Sequence, residues 1–394
     1  MKEFIFSGNV LKCYGCRACE QICPQKCIHM NENSEGFIFP QIDQTKCIGC
    51  NLCEKVCPVI PDNHRTVFNN TAKNVYVAWN VNITERMNSS SGGIFTAIAN
   101  FIFEKSGVVY GCSWKDERIE AHQIRITSVN EISNLQGSKY VQSTTENTFS
   151  QVKDDLKSGL YVMYTGTPCQ IAGLKLFLRK EYEKLICVDF ICHGTPSPKV
   201  LSKYVDFIEA DYDKIWNLKF RDKKKSGYSA YLSFETLKRG KVSKLIGTSP
   251  YMVGFYKGFY NRESCYLCDF TSTKRVSDIT ISDYWGLGMF HPEQKREEKY
   301  GVSCIISNTA KGNKIITSMS EKIMLIYSTL SNCSANQPSL SHPNVRPQYR
   351  DVFFEDLEKE GFKYLSKKKL RPRLYYMYLI TPTWIRNVYR RLKK

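Results

Sequence analysis

The chain has 394 residues, 42% of them hydrophobic, and a formal net charge of +18. That length admits two or three compact units around a sizeable core, and that apolar content excludes a disordered polyelectrolyte. No apolar run of ~18 residues occurs; Leu374 to Ile380 is short and flanked by arginines and a proline, so no membrane-spanning segment is expected.

The first sixty residues are dense in cysteine. Cys13, Cys16, Cys19 and Cys23, followed by Pro24, form the spacing Cys-x2-Cys-x2-Cys-x3-Cys-Pro, and Cys47, Cys50, Cys53 and Cys57, followed by Pro58, repeat it. Such doubled runs hold two 4Fe-4S clusters, because three thiolates converge from one tight loop while the fourth ligates the other cluster. The pairing expected is crossed: Cys13, Cys16 and Cys19 with Cys57, and Cys47, Cys50 and Cys53 with Cys23. Gly15 and Gly49 occupy matching places where a backbone without Cβ can come close to cluster sulfides. Zinc, the alternative, usually takes two separated Cys-x2-Cys knuckles rather than two runs of four. Cys27 lies outside both runs and reads as a packed thiol.

Pro58, Pro61 and the polar stretch Asp62 to Asn74 mark a linker. The division expected is 1–62 for the ferredoxin-type unit, 63–74 for the linker, 75–330 for a larger unit and 331–394 for a C-terminal extension. Short apolar runs then alternate with helix-like segments: Val75 to Trp79, Ile94 to Phe103, Val108 to Cys112, Leu160 to Tyr164, Ile171 to Leu178, Leu185 to Ile191 and Val200 to Ile208. This alternation predicts a mixed α/β domain after the small ferredoxin-like one, an α+β or α/β class overall. A hairpin is expected from Tyr228 to Thr236 and Lys241 to Ile246 through Lys238, Arg239 and Gly240. Further strands are expected at Asp278 to Ser282 and Cys304 to Ser307.

The seventeen cysteines do not suggest a secreted disulfide scaffold, since no signal-like segment precedes the first cluster of them, and a reducing cytoplasm is the expectation. Four occupy unusual settings in the larger unit: Cys169 in Thr-Gly-Thr-Pro-Cys-Gln, Cys192 in Ile-Cys-His-Gly, and the pair Cys265 and Cys268. Four thiolates suffice for a third cluster. Taken singly, Cys169 and Cys192 also read as small core residues, and Cys265 with Cys268 as a redox or zinc pair.

Ten basic residues and no acidic one lie from Lys367 to Lys394, together with Tyr375, Tyr376, Tyr378, Trp384 and Tyr389. This mixture suits peripheral contact with an anionic inner membrane surface or with a partner protein, or a solvated terminal helix. Each cluster with its four thiolates would carry about −2, which offsets part of the positive charge and ranks nucleic acid below the other partners.

Ser90-Ser91-Gly92-Gly93, Gly137-Ser138-Lys139-Tyr140, the run Tyr164 to Gln170, Cys192-His193-Gly194, Phe220-Arg221-Asp222-Lys223, Cys265-x2-Cys268 and the run Ser277 to Gly286 resemble motifs of the coenzyme F420 hydrogenase/dehydrogenase beta-subunit family. The resemblance spans roughly residues 75 to 310, and the ordered set is more specific than any one motif. It implies a domain that binds FAD beside a 4Fe-4S cluster, with Cys169, Cys192, Cys265 and Cys268 as ligands. Ser90, Ser91, Gly92 and Gly93 would hold a pyrophosphate at a helix N-terminus, or act only as a cap. Ser138, Lys139 and Tyr140 would face a phosphate or flavin edge, Lys139 otherwise being a surface lysine, and Thr165, Gly166 and Thr167 would approach the ring. His193, Arg221 and Asp283 are the candidates for protonating or orienting a substrate; Arg221 would otherwise pair with Asp222 at the surface. The chain departs from the family pattern in its fused ferredoxin unit and in Ser282, where glycine commonly precedes the aspartate, so deazaflavin is not assigned as substrate.

The function expected is an iron-sulfur flavoprotein oxidoreductase that takes electrons from a ferredoxin-like donor or partner redox enzyme and passes them through the clusters and FAD to a small organic substrate. The competing class is an electron-relay subunit without a substrate of its own, docked on a partner or membrane through the basic tail.

Overall fold

The computed structural model describes residues 10–69, 74–115, 118–223, 231–371 and 377. The N-terminal part holds the short helices α1 (Ala18–Ile22), α2 (Leu52–Lys55) and α3 (Pro61–Thr66), with strands β1 (Ile28–Glu32) and β2 (Ile38–Ile42) paired antiparallel. α1 and α2 are both entered through a left-handed residue, Arg17 and Asn51, so the doubled cysteine run folds as a doubled local structure.

The larger part is built on β3 (Asn74–Asn80), α4 (Ile83–Asn88), α5 (Ile94–Glu104), β4 (Val108–Lys115), β5 (Arg118–Ile126), α6 (Ile132–Leu135), α7 (Thr148–Lys157), β6 (Val162–Gly166), α8 (Pro168–Leu178), β7 (Leu185–Phe190) and α9 (Pro198–Tyr212). After these come β8 (Ile215–Asp222), β9 (Tyr231–Thr236), β10 (Gly240–Leu245), β11 (Ile279–Asp283), β12 (Ser303–Ser307) and β13 (Ile323–Ser328). Eight strands form a mixed sheet in the order β13-β3-β12-β11-β7-β6-β4-β5, and β10-β9-β8 form a separate antiparallel sheet that includes the expected hairpin.

The central run β4, β6, β7 and β11 is parallel. Its strands are nearly continuous apolar runs because both faces are covered, as parallel sheets require. The period of two divides them cleanly. Val109, Met163 and Ile186 face the buried side of α5, whereas Tyr110, Tyr164 and Cys187 face α7 and α8. The carboxyl ends of these strands therefore share one edge, and the loops after β6, β7 and β11 leave from it.

The N-terminal part is not a separate body. Cys16, Ala18, Val56 and Val67 belong to the same core as Phe149, Tyr164, Ile171 and Leu174. Within the expected linker, α3 occupies the first part, Val67 is buried, and the Asn69 amide donates to the Arg275 carbonyl, while residues 70–73 lie outside the described ones. Of the basic tail, only Lys367 to Arg371 and Met377 lie among the described residues, and Tyr375, Tyr376, Tyr378, Trp384 and Tyr389 lie outside them.

Fifteen cysteines are free thiols. Cys304 and Cys333 are paired where β12 and the helix Leu330–Ser334 pack in one apolar cluster. No helix among the described residues is long and apolar enough to cross a membrane.

Below the carboxyl edge, Asp189 of β7 and Arg275 pair at 3.0 Å with side chains 0% and 1% exposed. Arg275 also donates to the carbonyls of Phe270, Ser272 and Phe190, and Thr280 Oγ1 donates to Asp189 at 2.5 Å. The pair fastens the segment after Cys268 to the sheet. Removing one partner leaves a buried charge, so Arg275→Met should destabilise the fold by about 3–5 kcal/mol. Urea denaturation should show the loss, and the double change with Asp189→Asn should recover part of it.

Candidate functional site

Cys13, Cys16, Cys19 and Cys57 face one cavity, which Tyr14 and Pro58 also line. The first three come from the loop into α1 and the fourth follows α2. Burial pushes the Cys57 thiol up to about 12 and holds Cys16 and Cys19 well above the ordinary range, each raised further by neighbouring sulfurs. Thiols in that state become thiolates only against a strong local cation, which is what iron provides. The Gly15 amide donates to Cys13 Sγ at 3.3 Å.

Cys23, Cys47, Cys50 and Cys53 are more open. Cys47 and Cys50 are exposed, Cys23 and Cys53 half-buried, and Ile48 between the first two is 64% exposed. Cys27 is buried, with its sulfur 3.4 Å from that of Cys23. Gly15 and Gly49 both have left-handed φ, +69° and +68°. The room beside Gly15, however, is filled by Gln142 and Arg262 of the larger part, whereas nothing lies near Gly49. The expected approach to cluster sulfides is thus, at Gly15, an approach of the two parts to each other.

A second cavity collects Cys169, Cys192, Cys265 and Cys268. Cys169 sits in the first turn of α8 after β6, Cys192 follows β7, and the other two come from the 3-10 turn Glu263–Leu267 and its end. Sequence separations of up to about a hundred residues are closed by the shared carboxyl edge. Burial pushes Cys169 up to about 11 and Cys192 up to about 12, each then raised by the other sulfurs of the set. Two donors face the sulfurs: Thr195 N lies 3.3 Å from Cys265 Sγ, and Thr167 Oγ1 3.1 Å from Cys169 Sγ. The four cysteines of each of these two cavities surround a space, the arrangement a polynuclear cluster needs. The donor sets fit.

Tyr14 lines both cavities. Its hydroxyl donates to Asp269 at 3.4 Å, and burial, then Cys268, Asp269 and Cys169, raise its pKa. Gly173, one turn along α8 from Cys169, has no Cβ because Cys16 occupies the space; an added Cβ would lie 2.9 Å from Cys16 Sγ.

The expected flavin residues divide. The Ser90 hydroxyl accepts from the Ser138 amide at 2.8 Å, which brings those two motifs together. Ser91 Oγ donates to the Val302 carbonyl, and the Gly92 amide donates to Ser303 Oγ. A Cβ on Gly92 would meet the Ala78 carbonyl at 2.6 Å, and one on Gly93 would meet Asn80 and Arg86. These glycines permit a close approach to neighbouring chain, and Gly93 stands at the N-cap of α5. Lys223 completes the anchor, its buried Nζ donating to the carbonyls of Arg86, Ser91 and Tyr300 at 2.6, 2.6 and 2.9 Å. Lys139 is half-buried rather than a surface lysine; Nζ donates to the carbonyls of Asn134 and Gln136, and burial pushes its pKa down to about 8. The Tyr140 ring packs against Phe220 and Phe255. Thr167 caps α8 in a reciprocal box with Gln170, while Gly166 closely faces Gln170. Thr165 Oγ1 is buried and has no hydrogen-bond partner among the described residues.

His193, Arg221 and Asp283 come together. Arg221 and Asp283 form a two-pronged pair at 2.6 and 3.0 Å, nearly buried, so Arg221 does not make the expected surface pair with Asp222. Asp222 instead takes Lys241 and Ser233, because β8 turns alternate side chains to opposite faces. His193 lines the second cavity, with Nδ1 3.0 Å from Ser339 Oγ. Burial lowers its pKa, with Asp283 opposing and Arg221 reinforcing the shift.

Two cysteine-lined cavities on a shared seam define an iron-sulfur, electron-transfer protein of the oxidoreductase type. Residues 12–60 match the 4Fe-4S dicluster domain family, and residues 160–332 match the family described as the C terminus of the coenzyme F420 hydrogenase/dehydrogenase beta subunit. The chain thus joins a 4Fe-4S dicluster domain to a domain of the coenzyme F420 hydrogenase/dehydrogenase beta-subunit family. No curated protein matches it. Among solved structures it is similar to the F420-reducing [NiFe] hydrogenase complex from Methanosarcina barkeri, studied by xenon derivatization, at 16% identity and a TM-score of 0.44, covering 77% of this chain and 94% of that one.

Sequence reading missed Tyr14, Gln142, Gly173 and Arg262. Tyr14 stood inside the first motif, but spacing shows only ligands, not what lies between cavities. Gly173 gives a direct check of the seam: Gly173→Val should destabilise the protein by about 1–3 kcal/mol through overpacking against Cys16. Its urea midpoint should fall while that of Glu183→Ala, at an exposed turn position, should change less.

Proposed function

We propose that the protein is a reductase that receives electrons from a ferredoxin-like donor or partner redox enzyme and delivers them to a small organic substrate. In this reading Cys13, Cys16, Cys19 and Cys57 hold one 4Fe-4S cluster, Cys47, Cys50, Cys53 and Cys23 a second, and Cys169, Cys192, Cys265 and Cys268 a third. Ser90, Ser138, Lys139, Thr165 and Thr167 contact FAD. When bound, the clusters supply one-electron chemistry and the flavin two-electron hydride chemistry.

The observation that carries the reading is the second cavity: four cysteines from three separate loops face one space and share Tyr14 with the N-terminal cavity. The protein's own part is positional. Cys47 and Cys50, being exposed, leave the second set accessible to a donor. The seam buries Cys13, Cys16 and Cys19 and half-buries Cys169, Cys192, Cys265 and Cys268. Asp283 holds both prongs of the Arg221 guanidinium, so the pair presents a fixed polar face beside His193 that orients a substrate. His193, held through Nδ1 by Ser339, offers Nε2 as the atom that moves a proton. The basic tail from Lys367 supplies a contact for a partner or an anionic membrane surface.

Anaerobic purification with iron, acid-labile sulfide and flavin measured on one sample tests this. Three clusters of four irons predict about twelve iron atoms per chain, with one FAD. About eight irons without flavin would overturn the reductase reading and leave a dicluster domain fused to a binding domain.

A further inference from the structure

Arg262 is a buried cation with no carboxylate partner among the described residues. Its side chain is 1% exposed and lies between the two cysteine cavities. Nε donates to the Cys13 carbonyl at 2.6 Å, Nη1 to Gln142 Oε1 at 3.1 Å and Nη2 to the Ile38 carbonyl at 2.8 Å. The guanidinium also lies over the rings of Phe39 and Phe37, 4.2 and 5.5 Å from their centroids. Every one of these partners is neutral. Glu263, next in the chain, pairs with Arg346, and Glu35 pairs with Arg350, so these two carboxylates serve other cations.

Burying an unpaired charge costs several kcal/mol unless something compensates it. The groups of opposite charge available to Arg262 are sulfurs: it lines the same cavity as Cys169, Cys192, Cys265 and Cys268, which are anionic once loaded as thiolates. Meanwhile its Nε bond reaches the backbone of a cysteine in the other cavity. A single guanidinium is therefore shared by two sites, each of which becomes net negative when its cysteines are loaded as thiolates.

We infer that Arg262 is a positioning residue whose charge is the common counter-ion of the two cysteine cavities and raises the reduction potential of the cluster held by Cys169, Cys192, Cys265 and Cys268. The inference rests on the proposed third cluster and adds to it the residue that makes that cluster ready to accept an electron. Adding an electron makes the site more negative, and a fixed cation nearby favours that state. Cluster potentials vary with net charge, hydrogen bonds and exposure, and Arg262 acts through the first. No bond is made or broken.

The test uses the full chain, purified anaerobically, with redox titration followed by electron paramagnetic resonance and iron measured on each sample. Arg262→Gln removes the charge, and Gln142→Glu sets an isosteric carboxylate on Nη1 and neutralises the cation without removing it. Both should shift the reduction equilibrium of the third cluster at least tenfold toward the oxidised form, about 59 mV for one electron, with iron content retained. Arg262→Lys, which keeps the charge, should shift it less than threefold. Should Arg262→Gln lose iron or fail to fold, Gln142→Glu decides the matter. An unchanged potential in Gln142→Glu with full iron overturns the inference and leaves Arg262 as a cross-link alone. Absence of a third signal in the unaltered protein would instead sink the reading of the cavity, a separate outcome.

Discussion

The contact between α8 and the first cysteine loop sets the terms for the rest of the molecule. Gly173 gives up its Cβ so that Cys16 can lie against α8, one turn from Cys169. That approach fixes the N-terminal part on one face of the mixed sheet and brings two cysteine-lined spaces to either side of Tyr14. Polar ties then hold the register of the seam. Gln21 accepts from the amides of Phe149 and Ser150, Thr145 Oγ1 donates to the Cys16 carbonyl, and Arg350 grips Glu35 with two bonds. A sulfur site buried at such a seam loses water on all sides, which raises its thiols and makes it dependent on whatever cation it holds.

The sheet contributes by direction rather than by identity of side chain. Because β6 and β7 run parallel, the residues that follow each strand leave from the same edge, and Cys169 and Cys192 become neighbours despite the helix between them. The same logic brings Asp283, at the end of β11, within reach of His193 and Arg221. Ligand sites at the carboxyl edge of parallel strands are a general property of such sheets. What is particular here is that the edge is roofed by the dicluster domain rather than left as an open crevice.

This geometry explains which parts of the molecule were legible in the sequence. The eight cysteines from Cys13 to Cys57 announce themselves because cluster ligation imposes a short local spacing. β4, β6 and β7 show as apolar runs because both of their faces are buried. β13, by contrast, is an edge strand with Met324 and Tyr327 exposed, and half-covered strands carry a weaker signal. The stretch after Pro61 carries a weak signal too: α3 is polar because it is exposed on one side, and Val67 and Phe68 alone mark where the chain packs on the core. Gly92 shows a further limit. A glycine marks a close approach, but sequence cannot say whether a phosphate or the Ala78 carbonyl does the approaching. Arg262 left no trace at all, since nothing local distinguishes a buried arginine from a surface one.

Exposure separates the three sets. Cys47 and Cys50 are open to solvent, Cys13, Cys16 and Cys19 are no more than 9% exposed, and Cys169, Cys192, Cys265 and Cys268 around the second cavity are half-buried. The set from Cys47 to Cys53 is the one most open to a donor. Solvent exposure stabilises whichever cluster state carries more charge, and burial shifts that balance, so sites with identical ligands need not share a potential. Burial by itself makes an anionic site harder to reduce, which would set the inner sites against electron arrival. Arg262, 1% exposed and with no carboxylate partner among the described residues, opposes that trend at the seam. The unpaired charge on Arg262 and the depth of the seam are then two halves of one electrostatic arrangement.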